Sequence, residues 1–206
     1  MRLPRGLVGA LAVLVIVAAC SDAGGDEVAR SEATTTDTAS VDAADGEMTA
    51  LPLRDGPRKE TTNGVPHVQL DAEPVPEIDA ELRRRAFLLP DVEDRASVLS
   101  LPGAIGLWLT SDVELARPEV LGGNREFAHI HPDGSLHVWL PVERALEVEQ
   151  TKWGELHPWV DRDGFWDGVV MVYTPETLDE VDVAMRIIVD AYNFVTGTDL
   201  DPLAFE

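Results

Sequence analysis

The chain has little cysteine: Cys20 is the only one in 206 residues. A single cysteine forms no internal disulfide, and its place near the N-terminus leaves the rest of the chain without a thiol nucleophile or a cysteine-ligated metal centre. Cationic residues are also scarce. Sixteen Lys and Arg against 38 Asp and Glu give a formal net charge of −22, a surface that repels nucleic acid and anionic lipid. Long apolar runs are missing beyond residue 19. Also absent are the Gly-x-Ser-x-Gly elbow, the phosphate-binding loop ending in Lys and the dinucleotide fingerprint. Gly122-Gly123-Asn124 reads as a turn and not as a phosphate cradle.

What the N-terminus does carry is Met1-Arg2-Leu3-Pro4-Arg5 followed by an uncharged apolar run from Gly6 to Ala19. The run is short for a membrane span, and its basic-then-apolar layout is that of a secretory signal. It ends Val17-Ala18-Ala19-Cys20, which resembles a bacterial lipobox. The expectation is a signal peptide over 1–19, lipidation of Cys20 and an extracytoplasmic protein anchored to the cell envelope by lipid. Residues 20–50 are rich in Ser, Thr, Asp, Glu, Ala and Gly and bury too little to order themselves, so they read as an acidic tether. Residues 51–206 have the size of one domain.

The densest chemistry lies in Arg125 to Leu140. His131-Pro132-Asp133-Gly134 carries the residues of a type I turn closed by a glycine bulge. That register sets Ser135 opposite His131 and His137 opposite His129, which places three imidazoles on one face together with Phe127 and Trp139. The other face, Ala128, Ile130, Leu136, Val138 and Leu140, is wholly apolar. A slip of one residue would mix the two faces, so the clean separation supports this pairing.

Other elements follow from periodicity and punctuation. Asn63-Gly64-Val65-Pro66-His67 suggests a turn into an extended segment ending at Leu70. Ile78, Leu82, Ala86 and Leu89 recur at helical spacing before Pro90. Apolar runs over Ala96–Leu101 and Ala104–Leu109 flank Pro102-Gly103 as a second hairpin. Pro141 opens a short helix, and Val169–Tyr173 is a strand. Thr174 and Pro175 are expected to start a last helix, whose stripe Leu178, Val181, Met185, Ile188, Tyr192 and Val195 ends at Gly197. The whole reads as α+β, an antiparallel sheet with helices packed on one face.

His129, His131 and His137 suit a transition-metal ion, since His-x-His on a strand is a ligand spacing of metalloenzymes. The same face equally suits an organic or anionic ligand, with Trp139, Phe127 and His157 lining it. Packing of buried histidines against aromatic rings is the third reading. Glu155, beside His157 in a Trp-rich loop, is the natural general acid or base, so the catalytic candidates are His129, His131, His137 and Glu155. Glu126 has the wrong parity for this face unless the strand bulges. Asp161-Arg162-Asp163-Gly164 with Asp167 has some features of a calcium loop but lacks the terminal bidentate Glu, and reads as a surface turn.

Val65-Pro66-His67-Val68-Gln69-Leu70, Pro102-Gly103-Ala104, Glu126 to His137, Trp153-Gly154-Glu155 with His157-Pro158, and Val170 to Tyr173 resemble the bacterial and fungal luciferase domain family. The resemblance runs from about Arg58 to Gly197, and the histidine hairpin is its most specific part. The family label implies light-emitting oxidation. Two positions depart from the family: Glu176 stands where an Arg usually follows Tyr-x-Pro, and Lys152 where Gly is common. Function is thus expected to be ligand or metal binding at the histidine face, with an enzyme or a protein-interaction module as alternatives.

Overall fold

The computed structural model describes residues 48–205. The signal peptide, Cys20 and most of the tether lie outside the described residues. Six strands form one antiparallel sheet in the order β1-β2-β3-β4-β6-β5. They are β1 (Val92–Ala96), β2 (Ile105–Leu109), β3 (Glu126–Ile130), β4 (Leu136–Trp139), β5 (Gly154–Leu156) and β6 (Val169–Val172). Three helices complete the α+β domain: α1 (Pro76–Ala86), α2 (Val142–Gln150) and α3 (Leu178–Thr196). Among the described residues, no helix is long and apolar enough to cross a membrane.

The β3–β4 hairpin has the expected register. His129 pairs with His137 and Ala128 with Val138, and the His131 amide donates to the Ser135 carbonyl at 2.8 Å across the turn. Gly134 takes the positive φ of 81° that closes it. Strand pleating then sends Leu107, Ala128, Ile130, Leu136, Val138, Val170 and Val172 to one side, all buried. Helix α3 packs there against β3 and β4 and also meets α1.

That central helix is buried on more than one side. Val183, Ala184, Ile187, Val189 and Ala191 are buried as well as the expected stripe, whereas Leu178 is half exposed. The buried Arg144 of α2 donates to Asp190 of α3 from Nε at 2.8 Å and Nη2 at 2.6 Å. Gly197, at φ 73°, ends the helix where expected.

Three expectations change, two of them boundaries. The strand before Pro102 is Val92–Ala96 and not Ala96–Leu101. Its sequence Val-Glu-Asp-Arg-Ala is polar because it is an exposed edge strand, while Leu99 and Leu101 belong to a loop over the opposite sheet face. Helix α3 is capped by Thr177, whose Oγ1 accepts from the Glu180 amide at 3.2 Å. Thr174 instead donates to the Asp133 carbonyl and takes Gln69 Oε1 on its own amide, which ties three segments together.

The third change is a bulge in β3. Leu107 pairs with Ala128 but Trp108 pairs with Glu126, so Phe127 is the extra residue. The bulge exchanges the faces of the first two residues. Phe127, expected beside the histidines, packs edge-on against Tyr192 of α3 at 5.8 Å between ring centroids. Glu126 joins the histidine face.

Candidate functional site

The sheet face away from the helices carries Gly106, Trp108, Glu126, His129, His137, Trp139, Glu155 and Met171. The absence of a side chain at Gly106 makes room there: a Cβ would lie 2.5 Å from Trp108 Nε1 and 3.0 Å from Glu126 Cδ. Loops roof this face. Thr61 bridges to Gln69, and the Leu70 amide donates to the Glu60 carbonyl, which holds the intervening loop and lowers His67 onto the sheet. The 97–104 loop and the 157–166 segment close the other sides. Between them lies a cavity of about 470 Å³, walled by residues such as Val65, Leu99, Leu101, Trp159 and Phe165, with His67, His129, His131, His137 and His157 on its polar side. This is the size of a small-molecule pocket.

All five histidines of the chain meet here. Glu126 Oε1 lies 2.9 Å from His129 Nδ1, and His129 Nε2 lies 3.0 Å from His137 Nδ1. The row continues from His137 Nε2 to His67 Nδ1 at 3.0 Å and from His67 Nε2 to Glu155 Oε1 at 2.7 Å. A buried carboxylate thus begins the row and a partly exposed one ends it, where Thr61 Oγ1 also donates to Glu155. His131 stands beside the row, with Nδ1 2.9 Å from Ser135 Oγ. The Ser135 hydroxyl donates to Asp133 Oδ1 at 2.7 Å, so His131 Nδ1 is the donor to Ser135. His157 faces Phe165 in a stack at 4.8 Å, and its Nδ1 accepts the Trp159 amide at 3.1 Å.

Glu126 is wholly buried, a position that a carboxylate tolerates only with several donors. It has them: Oε1 accepts from Ser97 and His129, and Oε2 accepts the Val98 amide at 3.0 Å. One carboxylate therefore holds both a floor histidine and the rim loop.

Enclosure makes His131, His137 and His157 weak bases. Burial is the main reason that His131 is pushed down to about 3, with charge on His129, His67 and His157 adding repulsion. His157 falls to about 4, first through burial and then through His67, His129 and Arg162. His137 lies well below its ordinary value for the same reasons, burial foremost. For Glu155, burial alone would raise the pKa, but hydrogen bonds from His67 and Thr61 outweigh it and hold the carboxyl below its usual value. Neutral rings facing a cavity offer lone pairs to a hydrogen-bond donor or a metal ion.

Of the residues expected at the site, His129, His131, His137, Trp139 and His157 line the cavity. Glu155 reaches the cluster through His67. The corrected residue is Phe127, which the bulge turns toward α3. Two members lacked a decisive signal in the sequence. His67 is 62 residues before His129 and arrives through the Thr61–Gln69 bridge, while Glu126 needed the bulge. Asp161 to Asp167 forms a surface turn, with the Asp161 amide on Asp167 Oδ1 at 3.0 Å.

The histidine hairpin and the elements that follow it carry a likeness to a known family: residues 124–191 match the luciferase domain family. Among curated proteins, it is similar to a luciferase of Armillaria gallica, 29% identical over 165 residues, with 71% of this chain and 62% of the relative covered. A luciferase of Armillaria mellea is 28% identical over 166 residues with the same coverage. The matched region spans about 62% of the length of these relatives. No solved structure matches the chain.

Proposed function

We propose that the domain takes a small organic molecule with an apolar body and one hydrogen-bond-donating end into the cavity and acts on it as an enzyme. The observation that carries this reading is the division of the cavity: aliphatic and aromatic side chains on the walls, and imidazoles concentrated on one side. A neutral imidazole accepts a hydrogen bond or a proton from the polar end of the ligand, and the walls receive its apolar body. The relatives are named luciferases, and that name, carried to this chain, supports reading the bound molecule as a substrate. A concave site supports this reading over a protein-interaction module, which would present a flat exposed patch.

The test is a titration of the full chain with apolar molecules that differ only in bearing or lacking a hydroxyl, followed by tryptophan fluorescence. Trp139 and Trp159 line the cavity, so binding is expected to change their emission, with the hydroxyl-bearing member of each pair binding at least tenfold more tightly. Equal affinity within every pair would remove the histidines from ligand recognition. We further propose that lipidation at Cys20 tethers the domain to the cell envelope, outside the cytoplasm. The Val17-Ala18-Ala19-Cys20 motif supports this, and mass spectrometry of the mature N-terminus tests it.

A further inference from the structure

We infer that His129, His131 and His137 form a binding site for one divalent first-row transition-metal ion, with Glu126, Ser135 and His67 as the acceptors that orient them. This site is independent of the organic ligand and follows from the hydrogens and lone pairs that the histidines bring together.

The row from Glu126 to Glu155 contains four contacts of hydrogen-bond length: one at each carboxylate and two between imidazoles. Each contact needs one hydrogen. Three neutral imidazoles, His129, His137 and His67, bring three, and ionised carboxylates bring none. One contact is left with two lone pairs facing each other unless the row gains a cation, a proton or a metal ion, and the third converging ligand atom, from His131, is what a metal ion uses and a proton does not. His137 is the middle ring, held 3.0 Å from a ring nitrogen on each side.

A metal ion between His129 Nε2 and His137 Nδ1 closes the count. His129 then keeps its proton on Nδ1 for Glu126. His137 keeps its proton on Nε2 for His67 Nδ1, and His67 keeps its own on Nε2 for Glu155. Every ring stays neutral, both carboxylates stay ionised, and every nitrogen has a partner. His131 fits the same scheme, because its Nδ1 donates to Ser135 and leaves the Nε2 lone pair free. One potential ligand atom from each of His129, His131 and His137 lies within 4.8 Å of those of the others, and all three residues are buried. Adjacent imidazole nitrogens at about 2.1 Å from an ion stand roughly 3.0–3.4 Å apart, which the 3.0 Å between His129 and His137 matches.

The alternative triad, His67, His137 and His157, is equally compact but fails on hydrogens. His157 Nδ1 already accepts the Trp159 amide, so a neutral His157 carries its proton on Nε2 and has no lone pair left for an ion. Outer-shell contacts from a carboxylate or hydroxyl to ligating histidines are the usual architecture of a metal centre. All-imidazole donors suit zinc, copper, iron or nickel over calcium or magnesium. With three protein ligands, the remaining positions of the ion face the cavity, which is the open arrangement of a catalytic site.

The test uses the full chain without a histidine tag, stripped with chelator and titrated with Co²⁺ and Zn²⁺ by calorimetry and visible absorption. One ion per chain is expected, with cobalt ligand-field bands. His129→Ala/His137→Ala should lose uptake while keeping its far-ultraviolet circular dichroism. His157→Ala should bind within about twofold of the parent, and Glu126→Gln should bind about 10- to 100-fold more weakly. If the double variant unfolds, the His157→Ala and Glu126→Gln pair still decides the matter. A folded parent that takes up neither ion, or a His157→Ala variant that loses uptake while Glu126→Gln retains it, would overturn the assignment. Ligand-induced tryptophan changes in chelated protein are read separately, so failure of the metal site leaves the organic-ligand reading to stand or fall alone.

Discussion

Acid should destabilise the metal-free domain through its histidines, and the size of the effect follows from the site. Above about pH 6.5 these rings are neutral in both the folded and the unfolded chain. Below it, an unfolded histidine takes up a proton that the buried ring refuses, so the unfolded state binds more protons and stability falls as pH falls. The loss continues until the folded pKa is reached, about 3 for His131 and about 4 for His157. At pH 4.5, two units below the unfolded value, His131 costs about 2.7 kcal/mol and the less enclosed His157, discounted for solvent screening, about 1–2 kcal/mol. Together they remove roughly 4 kcal/mol, a large part of the stability of a marginal domain at about 5–15 kcal/mol. His137, depressed in the same direction, adds to the trend. Asp190 opposes it near pH 4, since burial raises its pKa. Urea unfolding in the presence of chelator at pH 7.5, 6.5, 5.5 and 4.5 measures the slope. His157→Phe, which keeps a ring against Phe165, should shift stability by a constant at neutral pH and recover about 1–2 kcal/mol relative to the parent at pH 4.5. Stability that stays flat from pH 7.5 to 4.5 would mean that the folded rings take up protons as readily as free histidine, and the account of the site by burial would be wrong.

Other perturbations probe separate layers. Gly106→Ala places a methyl 2.5 Å from Trp108 Nε1 and should cost about 1–3 kcal/mol by overpacking, read as a lower thermal midpoint together with weaker ligand or metal uptake. Arg144→Ala leaves the buried Asp190 carboxylate without its guanidinium and should cost about 3–5 kcal/mol. Replacing both as Arg144→Met/Asp190→Leu should regain much of that in denaturant melts. Ile188→Ala, at the fully buried centre of α3, should cost about 2–5 kcal/mol without altering the site. A change in cobalt spectrum in that variant would show that helix packing and site geometry are not separable.

What could be read from the sequence was whatever repeats with a simple period or ends on a distinctive residue. The β3–β4 register followed from matching two faces, so the alignment of His129 with His137 was legible, and Gly197 marked the end of α3. Hydropathy misled where burial had another cause. Leu99 and Leu101 are apolar because they roof a cavity, and the real edge strand Val92–Ala96 is polar because solvent faces it. Strict alternation failed at Phe127 because one inserted residue reverses parity locally, and this hid Glu126. His67 was recognisable only as part of a conserved-looking entry segment in the family resemblance. Its approach depends on the Thr61–Gln69 bridge, a contact between loop ends that leaves no periodic trace.

The bulge at Phe127 has one more consequence. By turning Glu126 inward it gives entrance and floor a common fixing point, since the Val98 amide and His129 Nδ1 share the two oxygens of one side chain. A rotation of that carboxylate that frees the rim also releases the first ring of the row, and the tautomer chosen at His129 passes to His137 and His67 through contacts of 3.0 Å. The fastening of the 97–104 loop and the orientation of the first floor ring thus depend on the same side chain, at one end of a row of contacts whose other end is Glu155.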